Sequence, residues 1–196
     1  MPPASPPSST DAAYAERLAR LSRARWKRWV PNPYRWNARR LCQGRVLDVG
    51  CGIGRNLGFL DGRGTGVDPN ADAIAMARAA GLDAYVPEDL PDDRRDFDTL
   101  LCAHVLEHLD ADDAPALLRT WLPRIRPGGR VVLICPQERG FASDETHVRF
   151  LDGSDLATMC REVGLASARV RSFPLPRWFG RWFVYNETVV TASVPD

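Results

Sequence analysis

The stretch Arg45-Val-Leu-Asp-Val-Gly-Cys-Gly-Ile-Gly54 decides how the chain reads. Val46, Leu47 and Val49 form the short apolar run of a buried parallel strand, and Gly50, Gly52 and Gly54 end it abruptly. A strand therefore enters a glycine loop. Glycine tolerates positive φ and admits a bound group close to the backbone where a Cβ would obstruct it, which suits a nucleotide-like ligand. Asp48, at the strand's end, disfavours a phosphate beside this loop and favours a cation or hydroxyl groups.

Beyond the loop, strand and helix alternate. Arg55–Leu60 reads as a helix start, and Gly64-Thr-Gly-Val-Asp68 as a second short strand ending in an acid. A helix over 72–80 is capped by Gly81, and a third strand covers 83–86. A fourth strand spans 97–103, a helix 111–122, a turn Pro127-Gly-Gly, and a fifth strand 131–135 whose continuous apolar run implies burial on both faces. A helix over 154–163 and strands over 168–173 and 187–193 complete an α/β sandwich.

Upstream, residues 1–10 are Pro/Ser-rich and read as a disordered tail, because they bury too little apolar surface to offset chain entropy. Residues 11–44 form an N-terminal helical or lid segment, with a first helix over 11–29, and residues 45–196 form one domain. In Arg23-Ala-Arg-Trp-Lys-Arg-Trp-Val-Pro-Asn-Pro-Tyr-Arg-Trp36, basic and aromatic residues interleave, and Pro31 and Pro33 interrupt the helix. Three readings stand open there: a packed connector, a lid over substrate, or a surface for an anionic membrane or RNA.

At 196 residues and 44% hydrophobic, the chain supports one substantial core. The five cysteines (42, 51, 102, 135 and 160) contain no CxxC pair, which argues for reduced thiols rather than a disulfide framework or structural zinc. No 18-residue apolar run and no signal peptide are present, so a cytoplasmic location is expected. Net charge is only +1 but uneven: residues 1–45 carry ten Lys or Arg against two acids, and residues 83–113 eleven acids against two arginines.

The glycine spacing Gly50-x-Gly52-x-Gly54 departs from the dinucleotide fingerprint G-x-G-x-x-G. With Asp48 before it and Asp68 twenty residues on, it resembles the class I S-adenosylmethionine-dependent methyltransferases. The resemblance extends through Val67-Asp-Pro69, Phe97-Asp98, His104-Val-Leu-Glu-His-Leu109 and Arg126-Pro-Gly-Gly129, spanning about residues 45–135. It implies a three-layer Rossmann-like sandwich with a seven-stranded, mostly parallel sheet and an antiparallel last strand. S-adenosylmethionine is the implied cofactor. Gly50, Cys51, Gly52 and Gly54 would lie along its methionine portion, Asp48 near its ammonium group, and Asp68, followed by Pro69, on its ribose hydroxyls. Glu88 or Asp89 would meet adenine; Cys102, Ala103 and His104 would line the cleft below the sulfonium.

The implied reaction is methyl transfer to oxygen, nitrogen or carbon of a small or lipid-like acceptor. A nucleic-acid acceptor, a cofactor-binding module without activity, and a dehydrogenase are the alternatives; DNA is not expected as a partner, and peripheral membrane contact stays open. For a hydroxyl acceptor the candidate bases are His147 and His104, against a reading in which His147 anchors its loop. No metal is assigned, although His104, Glu107, His108 and His147 could converge with Glu138, Asp144 and Glu145 at one sheet edge. A similar Glu-x-x-Glu-His pattern holds a divalent ion in some RNA 2′-O-methyltransferases, with His104 here replacing the first glutamate. Finally, Trp178, Phe179 and Trp182 are expected to pack with the Trp26–Trp36 segment.

Overall fold

The computed structural model describes residues 32–196, so the tail, the 11–29 helix and Trp26 lie outside the described residues. Seven strands form one sheet: β1 Val46–Val49, β2 Gly64–Val67, β3 Ala84–Tyr85, β4 Phe97–Ala103, β5 Ile125–Pro136, β6 Ala166–Phe173 and β7 Glu187–Ser193. Their order is β3-β2-β1-β4-β5-β7-β6. The first five pair in parallel, and β7 runs antiparallel to both β5 and β6. The expected sheet, with its antiparallel last strand, is the one observed.

Helices cover both faces: α1 Pro33–Leu41, α2 Ala71–Ala79, α3 Asp113–Trp121, the single turn α4 Glu138–Phe141, and α5 Gly153–Glu162. Side chains alternate along β5, sending Val131, Leu133 and Cys135 to one face and Val132 and Ile134 to the other. The first face packs on Leu118 and Trp121 of α3 and Leu156 and Met159 of α5. The second packs on Leu41 of α1, on Leu57 and Leu60, and on Ile74 and Ala77 of α2. Two-sided burial is why these strands read as unbroken apolar runs.

Several elements depart from their sequence reading for local reasons. Pro33 starts a helix of its own, α1: Asn32 caps it, accepting from the amides of Tyr34 (3.0 Å) and Arg35 (3.3 Å), with proline at the first turn. Ala38 and Leu41 are buried on the sheet, so this part of the 11–44 segment is built into the domain. The Arg55–Leu60 stretch yields only a 3-10 turn, Leu57–Phe59, because Asp61 and Gly62 adopt positive φ and redirect the chain into β2. Pro127-Gly-Gly lies within β5, at a register irregularity opposite Phe97–Thr99, instead of forming a separate turn.

Candidate functional site

The parallel strands and the antiparallel β7 meet at one sheet edge, where the C-terminal ends of β1, β2 and β4 adjoin the first residue of β7. Open α/β sheets bind ligands at this edge. Gly50, Gly52 and Gly54 all take positive φ, at 75°, 52° and 82°. At Gly50 the need is also steric, since a Cβ there would overlap Val105 just beyond β4. The amides of Gly50 and Cys51 bond to the Val67 carbonyl at 2.8 and 3.1 Å, holding the loop against β2.

Asp48 is fully buried beneath this loop, and neither carboxyl oxygen makes a well-formed hydrogen bond. Burial pushes its pKa up to about 7; Arg55 pulls against that, the negative charge of Asp68 adds to it, and the Asn56 amide opposes it. An unsatisfied buried carboxylate costs stability unless a cation or donor arrives. Asp68 is half-buried, accepting from Gly52 N at 2.8 Å and Asn70 N at 2.9 Å. Burial raises its pKa and these two amides oppose the rise. Each carboxylate oxygen can accept a second bond, so Asp68 retains capacity for hydroxyl donors.

The other expected cofactor contacts divide. Glu88 and Asp89 share an exposed 3-10 turn over Pro87–Asp89, and Pro69 is exposed beside Asp68. The Cys51 side chain turns inward beneath the loop, where a Cβ on Gly66 would strike its sulfur. Cys102 does not line the cleft as expected: its thiol is buried in the opposite core with Leu47 and Leu133, because alternation along β4 turns it away. Ala103 and His104 do line a small cavity of about 20 Å³, together with Tyr34, Asn37, Arg55, Asn56, Ile134 and Glu187.

His104 departs most from its sequence reading. It has φ 60°, and the 3-10 turn begins only at Leu106, so it shares no helical face with Glu107 and His108. Instead it bridges two carboxylates: Nε2 lies 2.9 Å from Glu187 Oε1 and Nδ1 lies 3.3 Å from Glu107 Oε1. Burial alone would lower its pKa, but hydrogen bonds to Glu107 and Glu187 and their charges outweigh it and raise the value to about 9. In Glu107 burial opposes ionisation, and the His104 hydrogen bond and charge nonetheless bring its pKa below the ordinary value. His104 is thus an imidazolium at neutral pH. In that state neither ring nitrogen has a lone pair.

His147 is set differently. Its Nδ1 is 2.8 Å from the Phe141 carbonyl, which can only accept, so Nδ1 carries a proton, and Nε2 lies 4.0 Å from Glu107 Oε1. Phe141 stacks on its ring at 5.3 Å, and His108 lies 4.8 Å away. His108 Nδ1 is likewise held by the Thr146 carbonyl at 3.0 Å. Glu107, His108 and His147 each offer a ligand atom within 4.8 Å of the others, a donor set that could hold a divalent cation. The other acids expected there serve the backbone or surface instead: Asp144 accepts from Thr146, and Glu138 takes a bidentate bond from Arg177 at 2.7 and 2.6 Å.

Two site residues were not singled out from sequence. Glu187 is the buried first residue of β7, and Tyr34 donates to the Tyr185 carbonyl at 2.7 Å, its pKa raised by burial and by Glu187. A carboxylate opening an otherwise uncharged strand was the available signal for Glu187. The expected packing of Trp178, Phe179 and Trp182 with the Trp26–Trp36 segment falls mostly outside the described residues; of the described part, Tyr34 meets Phe173 edge-on at 5.6 Å and bonds Tyr185. Trp178 stacks on Phe179 at 3.8 Å and meets Trp182 edge-on at 6.1 Å, while Trp36 lies under Arg40.

Comparison with known proteins adds to this geometry. A family model described as a methyltransferase domain matches residues 11–169. A probable methyltransferase, ltbC, of Aspergillus luteorubrus is 31% identical over 105 residues, covering 43% of this chain and 37% of that protein. The chain therefore spans little more than a third of that relative's length. A ubiquinone biosynthesis O-methyltransferase of Ralstonia nicotianae is 24% identical over 175 residues, covering 74% of this chain and 73% of the relative. A SAM-dependent methyltransferase structure from Archaeoglobus fulgidus superposes with TM-score 0.65 at 19% identity, covering 93% of this chain and all of the other, 100%.

Proposed function

This chain belongs to the methyltransferase domain family, and we propose that it is an enzyme that binds S-adenosylmethionine at the glycine loop and methylates a small or lipid-like acceptor. When bound, this cofactor supplies an electrophilic methyl group on a sulfonium. The observation that carries the reading is Asp48, a buried carboxylate beside Arg55 and Asn56 whose oxygens still make no well-formed hydrogen bond, beneath a loop that side chains would block. A phosphate would be repelled there, whereas an ammonium group satisfies it. Asp68 has the remaining acceptor capacity to hold a ribose diol through charge-assisted bonds, each worth roughly 1.5–3 kcal/mol. Glu88 and Asp89 remain the candidates for adenine, and the backbone of Gly50–Gly54 follows the amino-acid end of the ligand.

On the acceptor side, the chain's task is alignment, because in-line positioning alone can supply about 7–11 kcal/mol of the barrier. His147 is the imidazole suited to take a proton from a hydroxyl acceptor, since its Nδ1 donates to the Phe141 carbonyl and leaves Nε2 as the ring nitrogen that would accept it. His104, charged between Glu107 and Glu187, orients the cavity wall instead. The ubiquinone-pathway relative supports a quinol-like acceptor as the first class to try. Incubation with S-adenosylmethionine and parallel panels of phenols, amines and activated carbons, read by mass spectrometry, tests the assignment. A methylated product in one panel is expected; cofactor binding with no product in any panel would favour a module without activity.

A nucleic-acid acceptor is favoured by one observation. Arg40, Arg130, Arg169 and Arg171 line a groove of about 280 Å³ along β6 and β7, with no acid in its wall. RNA affinity that falls steeply with salt would support that second reading.

A further inference from the structure

We propose that the loop between β6 and β7, residues 174–186, docks the protein on an anionic lipid surface. Orientation of the acceptor side toward that surface rests on the methyltransferase reading; the docking itself does not. Among the described residues, six large hydrophobic side chains stand exposed, and three of them are in this loop: Trp178 at 59%, Trp182 at 69% and Tyr185 at 61%. Val148 lies on the neighbouring loop that carries His147. Apolar exposure thus gathers on loops at the ligand edge of the sheet.

The loop is held firmly from within. The buried Asn186 amide donates to Gln137 Oε1 at 2.8 Å, Ser172 Oγ at 3.1 Å and the Pro176 carbonyl at 3.2 Å, and its oxygen accepts from Leu175 N at 2.9 Å. Arg177 grips Glu138, and Gly180 sits so close to Gln137 and Glu138 that a Cβ would collide with them. A hairpin connection needs none of this to be soluble. The inner network fixes a 3-10 turn over Arg177–Arg181 whose outer side is two indole rings. Indoles favour the membrane–water interface, with an apolar body and one N–H donor.

Charge selects the occupant. Residues 174–186 contain Arg177 and Arg181 and no acid; Glu138 already neutralises Arg177, so Arg181 carries the loop's net positive charge. A two-fold contact centred on the two indoles would bring Arg181 near its own equivalent, whereas anionic headgroups match it. Because Glu187, the next residue, bonds His104, the docked loop opens directly into the candidate site. Among the described residues no helix is long and apolar enough to cross a membrane, so this contact is superficial.

The test is flotation of the full chain with vesicles of phosphatidylcholine alone or mixed equally with phosphatidylglycerol, for wild type and for Trp178→Ser/Trp182→Ser. Both rings are exposed, and unchanged S-adenosylhomocysteine affinity by calorimetry verifies the fold and separates docking from the cofactor reading. The wild type is expected to float with the anionic vesicles, less so at high salt, and the double variant to lose roughly tenfold or more in partitioning, about 1.4 kcal/mol. Absence of wild-type flotation would overturn the proposal. Equal flotation of the double variant would also overturn it, moving the contact to another basic segment. A concentration-dependent dimer abolished by the double variant, without flotation, would assign the loop to a second copy.

Discussion

The chemistry concentrates in a few side chains whose environments oppose one another. Asp48 has a folded pKa raised to about 7 by burial, far above its unfolded value, so the folded chain holds a proton there through mildly acidic pH. Binding an ammonium group requires the carboxylate, so association must release that proton. Affinity for S-adenosylhomocysteine should therefore fall about fivefold between pH 7 and pH 6, with an enthalpy that depends on the buffer's ionisation heat. Asp48→Asn should bind more weakly and without that slope; an unchanged slope would remove Asp48 from the ligand. His104, whose pKa is raised to about 9, contributes stability that is full below its unfolded pKa near 6.5 and lost as pH rises through 9. Denaturant titrations should show the His104 contribution, on the order of 2 kcal/mol, lost across that window in wild type and missing from the smaller loss in His104→Gln. A His147→Ala variant that binds cofactor normally should turn over a hydroxyl acceptor at least about 100-fold more slowly, the contribution of a positioned base. Normal turnover would reduce His147 to the loop anchor that its Phe141 contact also permits.

Among the elements, the glycine loop separates strain from close approach. Gly50 and Gly62 have nearly the same φ, 75° and 77°, yet only a Cβ on Gly50 meets a neighbour, Val105; nothing lies within 4 Å at Gly62. Gly62→Ala should cost about 1–2 kcal/mol of stability and leave ligand affinity alone, as a simple left-handed penalty. Gly50→Ala should cost more and weaken S-adenosylhomocysteine binding at least about tenfold, because the β1 loop must move from the end of β4. Thermal melts and calorimetry on both variants distinguish the cases. This loop was legible because its signal is local: an apolar run, then glycines and strand-end acids. The helical reading of His104, Glu107 and His108 failed for a non-local reason. Glu187 at the head of β7 captures His104, and that partner is 83 residues away in sequence. The inward turn of Cys102 follows from strand alternation, and counting inward residues from Leu101 would have revealed it.

At the scale of the molecule, the α/β layering and two-sided burial followed from the alternation of apolar runs with helical segments and the antiparallel last strand from the family resemblance, while the strand order determines which strand ends form the ligand edge. Side-chain partnerships between distant elements were not legible, because spacing carries no record of who faces whom. Tyr34 on Tyr185, Arg177 on Glu138, and the self-packed Trp178 and Trp182 all depend on how α1 and the β6–β7 loop settle on the finished sheet. The same placement sets the glycine loop and the aromatic loop on one edge, with His104 and Glu187 beside them. The claim beneath this arrangement is that the Asp48–Gly54 loop and Asp68 bind a phosphate-free, cationic nucleoside cofactor. Isothermal titration of S-adenosylhomocysteine into the wild type and Asp68→Ala, with NAD as the competing ligand, tests it most directly. The account predicts saturable one-to-one binding to wild type, a loss of at least about tenfold in Asp68→Ala, and no heat from NAD; binding of NAD without S-adenosylhomocysteine would contradict it.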